Sequence, residues 1–458
     1  MPIAIIDPAD GTLIREYPPH TDAEVADRIA TAHTAHLALR DTDFATRAAW
    51  MHRAADLLEA EADQVAATIA QEMGKPLAQA RAEAVKSANA MRFYADRAEG
   101  FLSGGRLDDP SAVGAAEAYT LYQPLGVVLA VMPWNYPIWQ VMRFAAPALM
   151  AGNTGLLKHA SNVPASAMYL DGLFARAGFP AGSFRTLLIP ASGVEAVLRD
   201  PRVRAVTLTG SEPAGRSVAA IAGDEVKPVV LELGGSDPFL VMPSADLDRA
   251  VATAVTARTS NNGQACINAK RFIVHTDIHD AFLERFTAAM AALRVGHPTA
   301  PGTDVGPLAG EQARDELSAL VDDALAKGAT ATTGGAAADG PGWYYPPTVL
   351  TGLTPQMRLY AEEAFGPVAA VYRADDVDDA LRIANDTSFG LSSALWSQDA
   401  AEQEHVIARL EAGAVFVNGM SASYPELPFG GIKDSGVGRE LSADGIRAFC
   451  NLKTVWRA

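Results

Sequence analysis

Long apolar runs and a basic surface are both missing from this 458-residue sequence. The longest apolar stretches, such as LGVVLAVM at 125–132, are far shorter than the roughly 20 residues that a membrane-spanning helix needs. The formal net charge is −17, and no cluster of lysines and arginines offers a footprint for the phosphates of a nucleic acid. We therefore expect no membrane partner and no nucleic-acid partner.

Cysteine is scarce as well, since the chain has only Cys266 and Cys450. Two cysteines cannot form a disulfide framework, and their spacing suits no metal-binding motif. The first residues, MPIAIIDPADG, lack the basic segment and apolar run of a secretory signal. These features favour a reducing, cytoplasmic compartment and predict no bound metal.

The first hundred residues are predicted to be helical. A capping-box pattern at 21–24 begins the first helix, and an amphipathic run at 43–72 ends at Gly74. Another helix follows to about Arg97. With 49% hydrophobic and 20% charged residues, the chain has the composition of a globular protein, and its length suits two or three domains.

From Tyr119 onward, short apolar strands alternate with helices. The first group of strands is TLYQPLGVVLAVM, which breaks at 124–126, followed by TGLLK, FRTLLI, RAVTLT and KPVVLEL. A second group begins near Gly234 with RFIVH, PTVL, PVAAVYRA and AVFVN, and FCNLKTVWR is a terminal strand that no later element covers. This alternation predicts an α/β fold with parallel sheets covered on both faces.

Cys266 stands among small polar residues in NNGQACINAK at 261–270. A structural cysteine usually lies in an apolar run, so this setting suits a sulfur presented to a substrate, although an inert loop cysteine is the alternative. Three other polar stretches follow predicted strands: MPWNYP at 132–137, TLTGSEPAG at 207–215 and LELGGSDP at 231–238.

Each of these stretches carries a candidate chemical group. Gly210 and Ser211 permit a tight turn into a helix whose N-terminus suits a pyrophosphate, although such turns often only cap the helix. Glu232 lies between two leucines, where desolvation would raise its pKa and make it a base; alternatively it points at water. Asn135 either donates its amide to an oxyanion or caps the next helix.

Taken in order, PWN, TGS, LELGG and GQAC, then EEAFGPV at 362–368 and PFGG at 428–431, resemble the aldehyde dehydrogenase superfamily. The resemblance covers nearly the whole chain, from IIDPADG at 5–11 to SGVGRE at 435–440. It implies an aldehyde dehydrogenase-like α/β fold and a homodimer or homotetramer. The implied domains are a Rossmann-like cofactor domain (1–105 and 125–233), a catalytic domain with its own parallel sheet (234–425) and a small β oligomerisation arm (106–124 and 440–458).

The resemblance also implies the reaction, an NAD(P)-dependent oxidation of a small aldehyde to a carboxylic acid through a cysteine thioester. Cys266 would be the nucleophile, and the Asn135 amide and the Cys266 backbone N–H would hold the oxyanion. Glu232 would activate the water that hydrolyses the thioester. Relatives that pass the acyl group to coenzyme A usually lack this glutamate, so a free acid is the expected product.

The family pattern maps the cofactor site onto eight positions: Trp134, Lys158, Ser161, Gly210, Ser211, Leu233, Glu363 and Phe365. Many NAD-preferring relatives have a glutamate three residues after the lysine, where this chain has Ser161. A glutamate would repel the 2′-phosphate of NADP, whereas serine adds no charge. We therefore expect NADP as the favoured cofactor and NAD as a second choice.

The substrate-binding positions resemble those of bacterial succinate-semialdehyde dehydrogenases of the short type, as do KHASN, LELGGSDPF and SYPELPFGG. Arg143 and Ser423 match the positions that bind the substrate carboxylate in that group. Many such enzymes carry a second arginine at a position that is occupied by Ser260 in this chain. Arg258 is close by in sequence. The resemblance implies oxidation of succinate semialdehyde to succinate.

Two alternatives remain at this point. One is a broader aldehyde dehydrogenase for other short or ω-carboxylated aldehydes, such as glutarate semialdehyde. The other is a catalytically silent protein of the same fold, against which the presence of Cys266, Glu232 and Asn135 argues.

Overall fold

The computed structural model describes residues 2–458, which contain two large sheets flanked by helices. The elements of the first half are β1 (Ala4–Ile6), β2 (Leu13–Glu16), α1 (Asp22–Leu39), α2 (Phe44–Ala60), α3 (Ala62–Met73), α4 (Leu77–Phe101), β3 (Glu117–Pro124), β4 (Val127–Met132), α5 (Trp139–Ala151), β5 (Thr154–His159), α6 (Pro164–Ala177), β6 (Phe184–Thr186), α7 (Val194–Arg199), β7 (Val203–Thr209), α8 (Glu212–Asp224) and β8 (Val229–Glu232).

The second half continues the alternation of strands and helices. Its elements are β9 (Asp237–Val241), α9 (Leu247–Thr259), β10 (Ala269–His275), α10 (Thr276–Ala291), α11 (Glu311–Ala326), β11 (Thr330–Thr333), β12 (Thr348–Thr351), α12 (Arg358–Ala361), β13 (Val368–Ala374), α13 (Val377–Asn385), β14 (Phe389–Gly390), β15 (Ser393–Trp396), α14 (Ala400–Ile407), β16 (Val415–Val417), β17 (Ile432–Lys433), β18 (Gly436–Val437), α15 (Ser442–Arg447) and β19 (Cys450–Arg457).

The first large sheet has the strand order β18-β8-β7-β4-β5-β6. Its strands run parallel except for β18, which pairs antiparallel with β8. Val128 and Ala130 of β4 pack with the helices α2 to α6, while Val127 and Leu129 pack with α1, α7 and α8 on the opposite face. Because successive strand residues point to opposite faces, the continuous apolar sequence of β4 serves a sheet that is buried on both sides.

The second large sheet has the order β11-β12-β13-β10-β9-β15-β16. Only β11 runs antiparallel to its neighbour among the described strands of this sheet. Phe239 and Val241 of β9 face α9 and α10, and Leu240 faces α13. The predicted α/β class with two parallel sheets is therefore confirmed, and β9, β11 and β15 are strands that the sequence pattern did not reveal.

The N-terminal hundred residues differ from the prediction in two details. A short antiparallel hairpin of β1 and β2 precedes the helices, because three- and four-residue strands are too short to show a periodicity. The amphipathic run at 43–72 is two helices, α2 and α3, which meet at Glu61. The predicted capping box of α1 is present, and Gly74 ends α3 in the left-handed conformation.

A separate two-stranded sheet is formed by β19 and β3, which pair antiparallel over eight residue pairs from Cys450 with Pro124 to Arg457 with Glu117. The preceding helix α15 packs against α4 and α5. In the predicted arm (106–124 and 440–458), the C-terminal segment therefore pairs as a strand only from Cys450 onward. The boundaries of the three predicted domains stay a prediction. No helix within residues 2–458 combines the length and the apolar character needed to cross a membrane.

Candidate active site

Cys266 lies in the loop between α9 and β10, and its side chain is half-buried. The loop turns sharply because Asn261 and Asn262 both have a φ of 57°, in the left-handed region that asparagine tolerates better than most residues. The Asn262 amide anchors this turn by donating to the carbonyls of Gly74 (2.8 Å) and Pro307 (2.9 Å). The polar residues before the cysteine therefore shape the loop that presents the thiol.

Arg258 stabilises the same loop through hydrogen bonds to backbone carbonyls. Its side chain is fully buried, and its guanidinium donates to the carbonyls of Ala269 (2.9 Å), Gly263 (2.6 Å) and Gly366. These contacts with backbone carbonyls occupy the guanidinium of Arg258. Arg258 therefore does not bind substrate in place of the arginine that is replaced by Ser260 in this chain. The sequence could not reveal this role, because two of the three carbonyls belong to other segments.

Asn135 is buried beside the cysteine loop. Its Nδ2 donates to the carbonyl of Gln264 at 2.9 Å, and the Asn261 amide donates to the carbonyls of Asn135 and Gln264, also at 2.9 Å. The helix α5 has Ile138 at its N-cap and no side-chain cap, so the alternative that Asn135 caps this helix is wrong. An amide nitrogen carries two hydrogens, and the second one remains available for an oxyanion.

The segment around Asn135 is held by groups that the sequence did not single out. Glu83 accepts from the backbone N–H groups of Ile138 (2.8 Å) and Trp139 (3.0 Å), and Lys75 pairs with Glu83. On the other side, Nε2 of His159 lies 2.9 Å from the carbonyl of Pro137. Burial lowers the pKa of His159 to about 4, so this imidazole is neutral and donates from Nε2.

The charge environment of Cys266 is mixed. Burial raises the pKa of the thiol to about 12, while the positive charges of Arg143 and Lys270 act in the opposite direction. Lys270 donates to the carbonyls of Ala265 (3.0 Å) and Cys266 (2.5 Å) and forms an ion pair with Glu363 at 2.8 Å. The resting sulfur is therefore a thiol, and the nearby cations favour its conversion to the nucleophilic thiolate.

Glu232, the last residue of β8, is only 1% exposed. Within residues 2–458 neither of its carboxylate oxygens has a hydrogen-bond partner. Burial and the carboxylate of Glu440 raise the pKa of Glu232 well above its usual value. The alternative in which this glutamate points at water is wrong, and a buried, unpartnered carboxyl with a raised pKa has the character of a general base.

Arg143 extends from α5 and is buried. Its Nε lies 2.8 Å from Oε2 of Glu440, and its guanidinium lies 4.6 Å from the centre of the Phe429 ring. A weaker contact joins Nη2 to the hydroxyl of Thr209 at 3.4 Å. The residue expected to bind a substrate carboxylate thus already has a carboxylate partner within the protein.

Ser423 is buried on the segment before β17. Its hydroxyl accepts from Nζ of Lys86 and from Nε1 of Trp139, each at 3.0 Å. Trp139 begins α5, the helix that carries Arg143. Ser423 and Arg143 are therefore joined through this helix, and Lys86 of α4 is a neighbour that the sequence analysis missed.

The predicted phosphate-binding turn lies between β7 and α8. Ser211 is the exposed N-cap residue of α8, and its hydroxyl makes no capping hydrogen bond, so the alternative in which this turn only caps the helix through a side chain is wrong. The first N–H groups of the helix are left without this partner and suit an anionic group. A Cβ on Gly215 would lie 2.6 Å from Leu233, so this glycine lets the helix approach the end of β8 closely.

The remaining cofactor candidates meet at the same edge of the first sheet. Lys158 is the next-to-last residue of β5, and Ser161 lies just after the strand ends. In the sheet β5 is next to β4, and β4 is next to β7. From the second half of the chain, the Phe365 ring meets the Trp134 ring edge-on with centroids 5.6 Å apart. Glu363 lies close to Gly234, where a Cβ would be 2.5 Å from Oε2.

The comparisons with known proteins agree with this geometry. Residues 1–455 match the aldehyde dehydrogenase family. A succinate-semialdehyde dehydrogenase [NADP(+)] of Mycolicibacterium paratuberculosis is 64% identical over 460 residues, which cover 100% of this chain and 97% of the relative. Another of the same name from Mycobacterium ulcerans is 63% identical, with 100% of both chains covered.

Among solved structures, the succinic semialdehyde dehydrogenase of Streptococcus pyogenes in complex with NADP+ as the cofactor superimposes with a TM-score of 0.96. It is 37% identical, and 99% of each chain is covered. The aldehyde dehydrogenase fold implied by the ordered motifs is thereby confirmed. From its sequence, its two sheets and its site, this chain belongs to the aldehyde dehydrogenase family.

Proposed function

We propose that this enzyme oxidises succinate semialdehyde to succinate, with NADP as the favoured cofactor and NAD as a second choice. The observation that carries the proposal is that the Asn135 amide is bonded to the loop of Cys266, while Arg143 acts electrostatically on both the Cys266 thiol and the unpartnered carboxyl of Glu232. The names of the similar mycobacterial enzymes and of the Streptococcus pyogenes structure support the substrate and the cofactor.

In this proposal the Cys266 thiolate attacks the aldehyde carbon and forms a thiohemiacetal. The cations Arg143 and Lys270 favour the thiolate by lowering the pKa of the thiol. The Asn135 amide and the Cys266 backbone N–H stabilise the developing oxyanion, and removing one such donor typically slows a reaction by about a hundredfold or more. The bond from Asn135 to Gln264 orients the amide before the substrate arrives.

The cofactor site would comprise Trp134, Lys158, Ser161, Gly210, Ser211, Leu233, Glu363 and Phe365. The free hydroxyl of Ser211 at the beginning of α8 supports a pyrophosphate at this turn. When bound, NADP supplies the acceptor for the hydride of the reacting carbon. Ionised Glu232 then takes a proton from the water that attacks the Cys266 thioester, which releases the acid and regenerates the thiol.

The proposed preference for NADP rests on Ser161. Its side chain is partly exposed, carries no charge and can donate a hydrogen bond to a phosphate oxygen. Lys158, three residues earlier, is a cation that favours the same phosphate. Burial lowers the pKa of Lys158, and no acidic residue within 4.0 Å of its Nζ, among residues 2–458, competes for its charge.

The proposed preference for succinate semialdehyde rests on positive charge near the thiol. Arg143 is close enough to lower the pKa of Cys266, and we propose that it and Ser423 bind the substrate carboxylate. Glu440 already pairs with Nε of Arg143, so a substrate carboxylate would bind through the remaining N–H donors of the guanidinium, a contact that an uncharged aldehyde cannot make. Glutarate semialdehyde, one methylene longer, is the nearest competitor.

An aldehyde panel tests the proposal. Succinate semialdehyde, glutarate semialdehyde and butyraldehyde are oxidised in turn with NADP and with NAD, and the formation of reduced cofactor is followed by absorbance. We expect the highest kcat/KM for succinate semialdehyde with NADP, at least about tenfold above butyraldehyde, the magnitude of one charge-assisted contact.

Equal kcat/KM values for butyraldehyde and succinate semialdehyde would favour the broad-specificity alternative. No reduction with any aldehyde would favour the catalytically silent protein. The Cys266→Ala variant is the control, because it lacks the sulfur but keeps every proposed cofactor contact.

We further propose a homodimer or homotetramer in the cytoplasm. The free thiols of Cys266 and Cys450 fit a reducing compartment. The arm strand β19 leaves Leu452 54% and Trp456 52% exposed, which supports contact with another copy of the chain.

A further inference from the structure

A cation without an acidic partner lies beside Ser423. Lys86, on α4, is half-buried; its Nζ donates to the Ser423 hydroxyl at 3.0 Å and lies 4.2 Å from the centre of the Trp139 ring. Within residues 2–458 no carboxylate oxygen lies within 4.0 Å of this Nζ. Hydroxyl and aromatic contacts satisfy part of the ammonium group but do not balance its charge.

The other cations nearby are already neutralised by the protein. Lys75 pairs with Glu83, and Arg143 pairs with Glu440. Burial, together with the positive charges of Arg143 and Lys75, lowers the pKa of Lys86 to about 8, and Glu83 opposes this shift. Since a buried charge is costly without a counter-ion, an anion that reaches Lys86 gains an interaction that the protein itself does not use.

Ser423 also lines a cavity. It has a volume of about 50 Å³, and its wall includes Ser423, Phe429 and Gly430. The Phe429 ring lies against the guanidinium of Arg143, and a Cβ on Gly430 would lie 2.6 Å from Oε1 of Glu232. The cavity wall therefore extends from the serine that Lys86 contacts to the residues beside the candidate base.

We propose that Lys86 binds the carboxylate of the substrate together with the Ser423 hydroxyl, and that it supplies the net positive charge of this subsite. Arg143 adds to the subsite, but Glu440 balances its charge. The inference rests on the proposed function, since it needs a substrate that carries a carboxylate at the end opposite the aldehyde.

Replacement of the lysine by a neutral side chain of similar length tests the inference. Lys86→Met should raise the KM for succinate semialdehyde at least about tenfold, because a charge-assisted contact is lost. The kcat should stay within about twofold, since Lys86 does not touch the reacting atoms, and the KM for butyraldehyde should not rise. Lys86→Arg should recover most of the affinity, and Lys86→Gln serves if the methionine variant does not fold.

Product binding gives a second measurement without turnover. Sodium succinate is titrated into the enzyme while tryptophan fluorescence is followed, because Trp139 lies directly against Lys86. We expect succinate to bind the Lys86→Met variant at least about tenfold more weakly than the wild type. Lys327→Met is the matched control, since this lysine pairs with Asp323 on the surface of α11 and should leave both values unchanged.

The outcomes separate the two proposals. If the wild type shows no preference for succinate semialdehyde over butyraldehyde, the proposed function fails and the inference fails with it. If the wild type shows that preference but Lys86→Met raises both KM values equally, or leaves both unchanged, only the inference is overturned.

Discussion

At the scale of single residues, burial favours the neutral forms of both Cys266 and Glu232. It raises the pKa of the thiol to about 12 and, with the Glu440 carboxylate, raises the pKa of Glu232 well above its usual value. Only the ionised forms of these groups perform the proposed chemistry, so activity depends on how readily each loses its proton. Arg143 opposes both shifts and is thus a common electrostatic neighbour of nucleophile and base.

Because Cys266 is the proposed nucleophile and Glu232 the proposed base for hydrolysis, replacing Glu232 should affect hydrolysis but not thioester formation. The Glu232→Gln variant should retain a rapid burst of reduced cofactor in a single turnover and then stall, because the thioester forms but its hydrolysis lacks a base. The steady-state rate of the wild type should increase with pH, since ionised Glu232 accumulates only as pH approaches its raised pKa. Stopped-flow absorbance between pH 6 and 9 measures both phases.

In the same experiment Cys266→Ala should show neither phase while still binding the cofactor. A burst that slows as much as the steady-state rate in Glu232→Gln would mean that the carboxylate acts before the thioester forms.

At the scale of elements, the site is assembled where parallel strands end. In the order β8-β7-β4-β5, the carboxyl ends carry Glu232, Gly210, Asn135 and Lys158 in turn. Parallel neighbours end at the same edge of a sheet, and ligands of open α/β sheets bind in the crevice outside that edge. This arrangement explains why residues that are far apart in sequence lie at one edge of the sheet, where the proposed catalytic and cofactor sites adjoin.

The end of β5 provides a test of cofactor choice. Ser161→Glu should shift the ratio of kcat/KM toward NAD by about tenfold or more, because a carboxylate repels the 2′-phosphate and accepts from the ribose hydroxyls of NAD. The change should appear as a higher KM for NADP with little change in kcat. Initial rates with both cofactors measure it, and Thr34→Glu on the exposed side of α1 controls for added charge.

If the wild type uses NAD far better than NADP, or if Ser161→Glu leaves the ratio unchanged, Ser161 does not determine the choice. A parallel shift in Thr34→Glu would assign the effect to overall charge.

At the scale of the whole molecule, the arm of β3 and β19 pairs with no strand of either large sheet within the described residues 2–458. An isolated two-stranded ribbon is marginally stable in water, and two large apolar side chains of β19, Leu452 and Trp456, are more than half exposed. Association with a second copy would cover these side chains and stabilise the ribbon. The exposure of β19 is thus the structural feature that favours an oligomer.

We expect light scattering at low micromolar concentration to give a homodimer or a dimer of dimers. Leu452→Asp should shift the distribution toward smaller species, because it places a charge in the contact. Val226→Asp is the control, since Val226 is 90% exposed on a turn outside the arm. A wild type that scatters only as a 48.1 kDa species would contradict the prediction.

Local sequence predicted much of the fold because the relevant forces act within a few residues. The capping box at 21–24 forms within one helical turn, and Gly74 ends α3 through its own left-handed conformation. The alternation of apolar strands and helices likewise indicated the two parallel sheets. The hairpin of β1 and β2 was missed because its strands are too short for a pattern.

The sequence alone also identified the groups of the site, through motifs whose order indicated the aldehyde dehydrogenase family. It did not determine their surroundings. Only the tertiary structure decided that Asn135 is not a helix cap, that Glu232 is buried without a partner, and that Arg143 pairs with Glu440. Lys86 meets Ser423 across 337 positions of the chain. Burial and pairing depend on contacts between distant segments, and such contacts exist only after the two sheets and their helices have packed together.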